Sequence, residues 1–264
     1  MNQYFLAAPI LAYIPCLISI NRIDSGHNRK GILIGTAFGL HIIVLLISVV
    51  LSPNTWFSSP ALSLYSLSAG LTFCLILLRT VRPKLSVLDN IILPISVSLM
   101  VMASLSPSVN AGLSAETWLM VHFLCILLGI LSFTFAFSFA TTFLFQQQRL
   151  KEKNFEGINR YPSLDTLDTF NYYAIVIGFV SLSIGVITGY VWSVVQAKVL
   201  QIDITIISTL ALWFWYAVGL HTRLYMGRRG RWAAWFSVFG FVLFFLMMLV
   251  GVSLTGGWHL GAIQ

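Results

Sequence analysis

Eight apolar runs divide this 264-residue chain, and fourteen of its fifteen Lys and Arg residues fall in alternate loops between them. That alternation constrains the fold more than any other feature. The runs cover residues 3–20, 31–51, 62–78, 90–105, 116–145, 170–192, 204–223 and 232–252. A helix of roughly twenty apolar residues crosses the hydrocarbon core of a bilayer. Arg22, Arg29 and Lys30 follow the first run, and Arg79, Arg82 and Lys84 the third. Arg149, Lys151, Lys153 and Arg160 follow the fifth, and Arg223, Arg228, Arg229 and Arg231 close the seventh. Only Lys198, after the sixth run, breaks the pattern. Cytoplasmic loops of membrane proteins collect Lys and Arg, so the odd loops are expected in the cytoplasm and both termini outside. Adding or removing one span would destroy the alternation. The expected fold is an all-α polytopic membrane protein: one transmembrane domain over 1–264, a bundle of eight helices with the lipid bilayer as its solvent.

Composition excludes the soluble alternatives. Hydrophobic residues make up 58% of the chain and charged ones 9%, where a soluble domain carries about a quarter. The net charge of +7 is not a nucleic-acid footprint, because the cations sit in short loops beside apolar segments. Cys16, Cys74 and Cys125 all lie inside apolar runs without a CxxC pairing and read as small buried hydrophobes. No basic residue precedes the first run, unlike a cleaved signal peptide.

The third and fourth runs are short, and the fourth contains Pro94. The longest loop, 149–169, carries YPSLDTLDTF, in which Ser163 or Asp165 is placed to cap the sixth helix. That helix holds Gly185 and Gly189 in GxxxG spacing, which admits a close neighbour and equally fits ordinary transmembrane glycines. In residues 193–203, Val195, Val199 and Ile202 share a helical face with Trp192, as in a short interfacial helix or a plain loop.

Ionisable groups inside a membrane are costly, so intramembrane histidines are candidate functional residues. His27 falls in the first cytoplasmic loop and reads as solvated. His122 lies six residues into the fifth run, toward its outer end, and His259 follows the eighth run in the outer tail GGWHLG. The two are able to meet as a ligand pair at the outer face. The alternative is a hydrogen-bonded core histidine and a tail residue. His41, mid-helix, and His221, near the cytoplasmic end of the seventh run, make a second candidate pair, or two polar residues bonded between helices.

Paired histidines with no Cys, Asp or Glu beside them fall short of the three or four protein ligands that zinc takes. Haem iron needs only axial ligands from the protein. Trp118, Phe123, Trp192, Trp213, Trp215 and Trp258 are candidate apolar walls, or members of interfacial belts. Lys198, the one cation assigned to the outer side, is the candidate propionate partner. The expected cofactor is non-covalently bound haem b.

The segments TWLMVHFLCILLGILSFTFAF, LDTFNYYAIVIGFVSLSIGVITG, WYAVGLHTRL and GGWHLG resemble the integral membrane haem-handling proteins of the cytochrome c assembly family, of the short CcsA/HemX/YpjD-like type. The resemblance runs from about residue 114 to the C-terminus, with His41 as a further match. It implies a haem-binding bundle in which His122 and His259 ligate external haem, and His221 with His41 form a transmembrane pair. One departure matters. Family members that deliver haem carry a WGxxWxWDPK-type segment between the outer histidines, whereas this chain has GYVWSVVQAKVLQIDITIIS, retaining Trp192 and, more remotely, Asp203. No covalent-attachment CxxCH is present. The expectation is therefore a bacterial inner-membrane protein that binds, transports or regulates haem, and not an enzyme that attaches it. The alternative is a non-haem subunit that stabilises or regulates another membrane protein. A solute transporter fits less well, given the near absence of intramembrane acids.

Overall fold

The computed structural model describes residues 7–20, 27–51, 59–106, 117–155, 158–197 and 204–255. Among them the secondary structure is entirely helical, with eight α-helices. These are α1 (Ala8–Ile20), α2 (His27–Leu51), α3 (Pro60–Val81), α4 (Asp89–Leu105), α5 (Thr117–Lys151), α6 (Leu164–Trp192), α7 (Ile204–Tyr225) and α8 (Arg231–Thr255). Five helical segments among the described residues are long and apolar enough to cross a bilayer: Arg29–Leu51, Ala61–Val81, Pro83–Leu105, Thr117–Lys151 and Ile158–Val195. The chain is a multi-pass membrane protein in composition and helix length.

Several helices reach beyond the apolar runs, for local reasons. α6 begins at Leu164, six residues before its run, because Ser163 Oγ accepts from the Thr166 amide at 3.1 Å and caps the first turn. α5 continues past 145 through Gln146, Gln147 and Gln148, which are good helix formers. α3 starts on Pro60, a residue suited to the first helical position, behind the Ser59 cap. A 3-10 turn, Pro83–Leu88, leads directly into α4, which keeps Pro94 inside it. α6 runs on into a π-helical turn, Ser193–Ala197. The rest of the interfacial segment expected over 193–203 lies outside the described residues.

The chain groups into two compact units, Met1–Ser114 and Ala115–Gln264, each holding four helices. In the first unit successive helices run antiparallel. His41 of α2 meets Tyr65 of α3, and Arg79 at the end of α3 pairs with Asp89 at the start of α4. The inner seam of α2 repeats every three or four residues through Ile34, Ala37, His41, Val44 and Ser48, all buried.

The second unit is also an up-down bundle. α5 and α6 pack along their lengths, from His122 against Gly189 at one end to Phe139 stacked on Phe170 at the other. At that second end Asp168 of α6 binds Arg223 of α7 (Oδ2 to Nη2, 2.6 Å) and accepts from the Gly230 amide at 3.0 Å before α8. Gly230 has φ +67°, a conformation that suits glycine and aims its amide at the carboxylate. Asn171 Nδ2 donates to the Ala136 carbonyl at 2.7 Å and to Ser237 Oγ at 2.9 Å, tying α5, α6 and α8 together. Tyr216 stacks on Phe133 with centroids 3.8 Å apart.

Candidate functional site

Three glycines of α6 let α5 approach closely and fix where His122 lies. A Cβ on Gly178 would fall 2.7 Å from the Phe133 ring, one on Gly185 2.7 Å from Ile126 Cδ1, and one on Gly189 2.6 Å from His122 Nδ1. Each α5 side chain thus occupies the space that a larger residue would fill. The Gly185–Gly189 spacing is therefore a helix-packing device here, and the imidazole rests directly on the Gly189 backbone.

His122 Nδ1 lies 2.7 Å from the Gly185 carbonyl oxygen. A carbonyl only accepts, so Nδ1 carries the hydrogen and donates it, and in the neutral ring Nε2 holds the lone pair. Thr188 Oγ1 donates to the same carbonyl at 3.1 Å. A ring nitrogen anchored on a backbone carbonyl is the usual outer support of a metal-binding histidine, since it sets both tautomer and orientation. Trp192 ends α6 on the helical face that carries Gly185 and Gly189, and is half-buried. Trp118 lies one turn before His122 on α5 and is 46% exposed, so it is accessible to a ligand or to lipid.

α8 runs antiparallel to α5. Its Phe241 stacks on Phe137 with centroids 4.3 Å apart. From that contact α8 continues fourteen residues to Thr255, about 21 Å, and α5 runs back fifteen residues to His122, about 22 Å. By this register α8 ends at the level of His122. His259 stands four positions further along the chain. His259, Trp258 and Lys198 lie outside the described residues.

The remaining candidates are elsewhere. His221 is exposed near the other end of the second unit, stacked on Tyr225 one turn later, with centroids 4.6 Å apart. His41 belongs to the first unit and is fully buried. Its Nε2 faces the Tyr65 carbonyl at 3.3 Å, and its Nδ1 lies 3.3 Å from Tyr13 Oη. Trp213 and Trp215 serve helix packing: their indole nitrogens donate to Ser183 Oγ at 2.9 Å and to the Phe236 carbonyl at 3.1 Å. His27 opens α2.

Comparison with known proteins assigns the family. A family model described as Cytochrome C assembly protein matches residues 56–259. The chain belongs to the cytochrome c assembly family. The match takes in His122, His221 and His259 and begins after His41. Among curated proteins of this family, a cytochrome c biogenesis protein CcsA from Parasynechococcus marenigrum is 35% identical over 109 residues, covering 39% of this chain and 35% of that protein. Its counterpart from Prochlorococcus marinus is 31% identical over 118 residues, 42% of this chain and 38% of that protein. These alignments thus span little more than a third of each relative. The CcsA of Guillardia theta aligns more fully, 26% identical over 250 residues, covering 83% of this chain and 82% of that protein. No solved structure matches.

Two features of the second unit, one at the site and one at its opposite end, are not legible in the sequence. One is the Gly185 carbonyl that orients His122, which a GxxxG spacing signals only as close packing. The other is the Asp168–Arg223–Gly230 clamp. Its acid lies in a polar stretch that hydropathy assigns to a loop, although the 163–166 cap could have placed it on a helix.

Proposed function

We propose that this member of the cytochrome c assembly family is a haem-binding protein of the bacterial inner membrane. It spans the membrane eight times with both termini outside, and it binds, transports or regulates haem without attaching it to a polypeptide. The observation that carries the reading is the anchored imidazole: the Gly185 carbonyl stands 2.7 Å from Nδ1 and takes its hydrogen, so Nε2 of His122 would be the nitrogen offered to the iron. That donor suits an axial position on haem iron. His259 would be the second residue to hold the iron, a reading supported by α8 ending at the level of His122. Trp192 and Trp258 would wall the ring, and Lys198 would pair with a propionate. Bound there non-covalently, haem b would bring four porphyrin nitrogens to the iron and leave the axial positions to the protein.

The chain's own residues do the positioning. Gly189 gives the imidazole its seat, Ile126 against Gly185 holds α5 in register one turn below, and Thr188 shares the anchoring carbonyl. The reading that haem is not attached rests on the sequence between the outer histidines, which lacks the tryptophan-rich segment of haem-delivering members. The His41–His221 pair is left out of the proposal, since both nitrogens of His41 face partners within the first unit.

The test is a hemin titration of the purified full-length chain followed in the Soret region. A low-spin band is expected that weakens in His122→Ala and in His259→Ala. A protein that is colourless from haem-replete cells and unchanged by hemin overturns the reading. Such a protein purifying with a stoichiometric membrane partner would favour a non-haem stabilising subunit.

A further inference from the structure

The first unit contains a buried polar cluster that the haem reading does not use. Tyr13 of α1, His41 of α2, Ser68 and Thr72 of α3 and Ser96 of α4 are all completely buried. Tyr13 Oη lies 3.3 Å from Thr72 Oγ1 and 3.3 Å from His41 Nδ1, so its one hydrogen stands between two acceptors. Thr72 Oγ1 is 2.9 Å from Ser96 Oγ, and Ser68 Oγ donates to the Ser96 carbonyl at 2.8 Å. On the other side of the ring, His41 Nε2 faces the Tyr65 carbonyl at 3.3 Å.

We infer that His41 is the junction of a hydrogen-bond network that fixes the assembly of α1 to α4, and that it is not an iron ligand. Two arguments converge. The first is chemical. Nε2 faces a group that only accepts, so it carries a hydrogen and offers no lone pair, while the Nδ1 lone pair meets the Tyr13 hydroxyl. A metal sits about 2 Å from an imidazole nitrogen, and protein oxygens stand 3.3 Å from both nitrogens of this ring. The second argument is energetic. Lipid-facing helices gain nothing hydrophobic by associating, and polar side chains between them supply much of the specificity. A network that draws one or more members from each of four helices, with the hydroxyls of Tyr13, Ser68, Thr72 and Ser96 all engaged, sets their mutual register. A half-satisfied version in hydrocarbon would be worse than none.

Sequence spacing supports the assignment. Tyr65, Ser68, Thr72 and Arg79 recur at three, four and seven residues on α3, and Asp89 and Ser96 stand seven apart on α4. The polar positions therefore share the faces that carry the buried Arg79–Asp89 pair.

Two substitutions of full-length protein separate the roles. His41→Gln keeps a donor and an acceptor but is a poor iron ligand. His41→Met keeps a side chain able to ligate haem iron but breaks the network. His41→Gln is expected to melt within about 1 °C of wild type and to hold the same haem per chain. His41→Met is expected to melt about 3 °C lower or more. Adding Tyr13→Phe to His41→Met should cost less than Tyr13→Phe alone, since the shared contact is already gone. If His41→Met does not yield protein, the melting shift of Tyr13→Phe, which removes one hydroxyl, carries the test. Loss of haem in His41→Gln at unchanged melting temperature overturns the inference. So does an unchanged melting temperature in both His41→Met and Tyr13→Phe. Melting is read on apoprotein as well, so failure of the haem reading leaves this test intact.

Discussion

Among the described residues the two units hold one buried or half-buried histidine each, and they hold it in different ways. His41 has protein oxygens at both ring nitrogens and no surface. His122 is half-buried near the end of its helix, with Nδ1 tied to one backbone carbonyl and its ring laid on a glycine. The surroundings differ in the same sense. The first unit is joined through hydroxyls of Tyr13, Ser68, Thr72 and Ser96. In the second, α5 and α6 close over glycines, and aromatic rings stack between α5, α7 and α8. A histidine that builds a bundle is surrounded from several helices. The His122 ring takes its orientation from the backbone of α6, through the Gly185 carbonyl and the Gly189 seat. The difference distinguishes two intramembrane histidines that residue type alone does not.

The largest expected effect breaks the end of the second unit opposite His122. Asp168→Ala leaves Arg223 buried without its acid and removes the acceptor of the Gly230 amide. Breaking a buried ion pair costs about 3–5 kcal/mol, so thermal unfolding in detergent should show a drop of 6 °C or more, at roughly 2–4 °C per kcal/mol. Next comes a pair of glycine substitutions. Gly189→Ala puts a methyl 2.6 Å from His122 Nδ1, and hemin affinity is expected to fall about tenfold or more as the ring shifts. Gly35→Ala in α2 meets nothing within 4 Å and should raise stability by about 0.5–1 kcal/mol through helix propensity, with hemin binding unchanged. The smallest effect is on tuning. Thr188→Val removes the second donor to the Gly185 carbonyl, strengthens the hold on His122 Nδ1, and should leave hemin stoichiometry unchanged while shifting the reduction potential downward in a spectroelectrochemical titration.

The helices are legible in the sequence because hydropathy reports on the bilayer directly. The helices of both units fall on the apolar runs, and of the two α6 caps the sequence offers, Ser163 and Asp165, the structure uses Ser163. What escaped is small and polar. Ser68, Thr72 and Ser96 barely change the hydropathy of their helices, so their three-, four- and seven-residue spacing passes unseen unless the faces are drawn together. Hydropathy places Asp168 in a loop because its charge lowers the local average, whereas Arg223 neutralises it at the end of the bundle. The sequence pairs His41 with His221 because both are rare intramembrane bases. Residue type shows that such a group needs a partner and leaves open whether that partner is iron or a neighbouring hydroxyl. For Gly185 and Gly189 the sequence offered packing and ordinary composition as equals, and Ile126 and His122 seated on them decide for packing.

The account stands on His122 as the coordinating histidine. Its most direct test is the haem content of wild-type protein and of His122→Gln, purified side by side from haem-replete cells and measured as the pyridine haemochrome. The account predicts stoichiometric haem in the wild type and a loss of most of it in His122→Gln, with the melting temperature of the apoprotein little changed. Equal haem in the two proteins would contradict it.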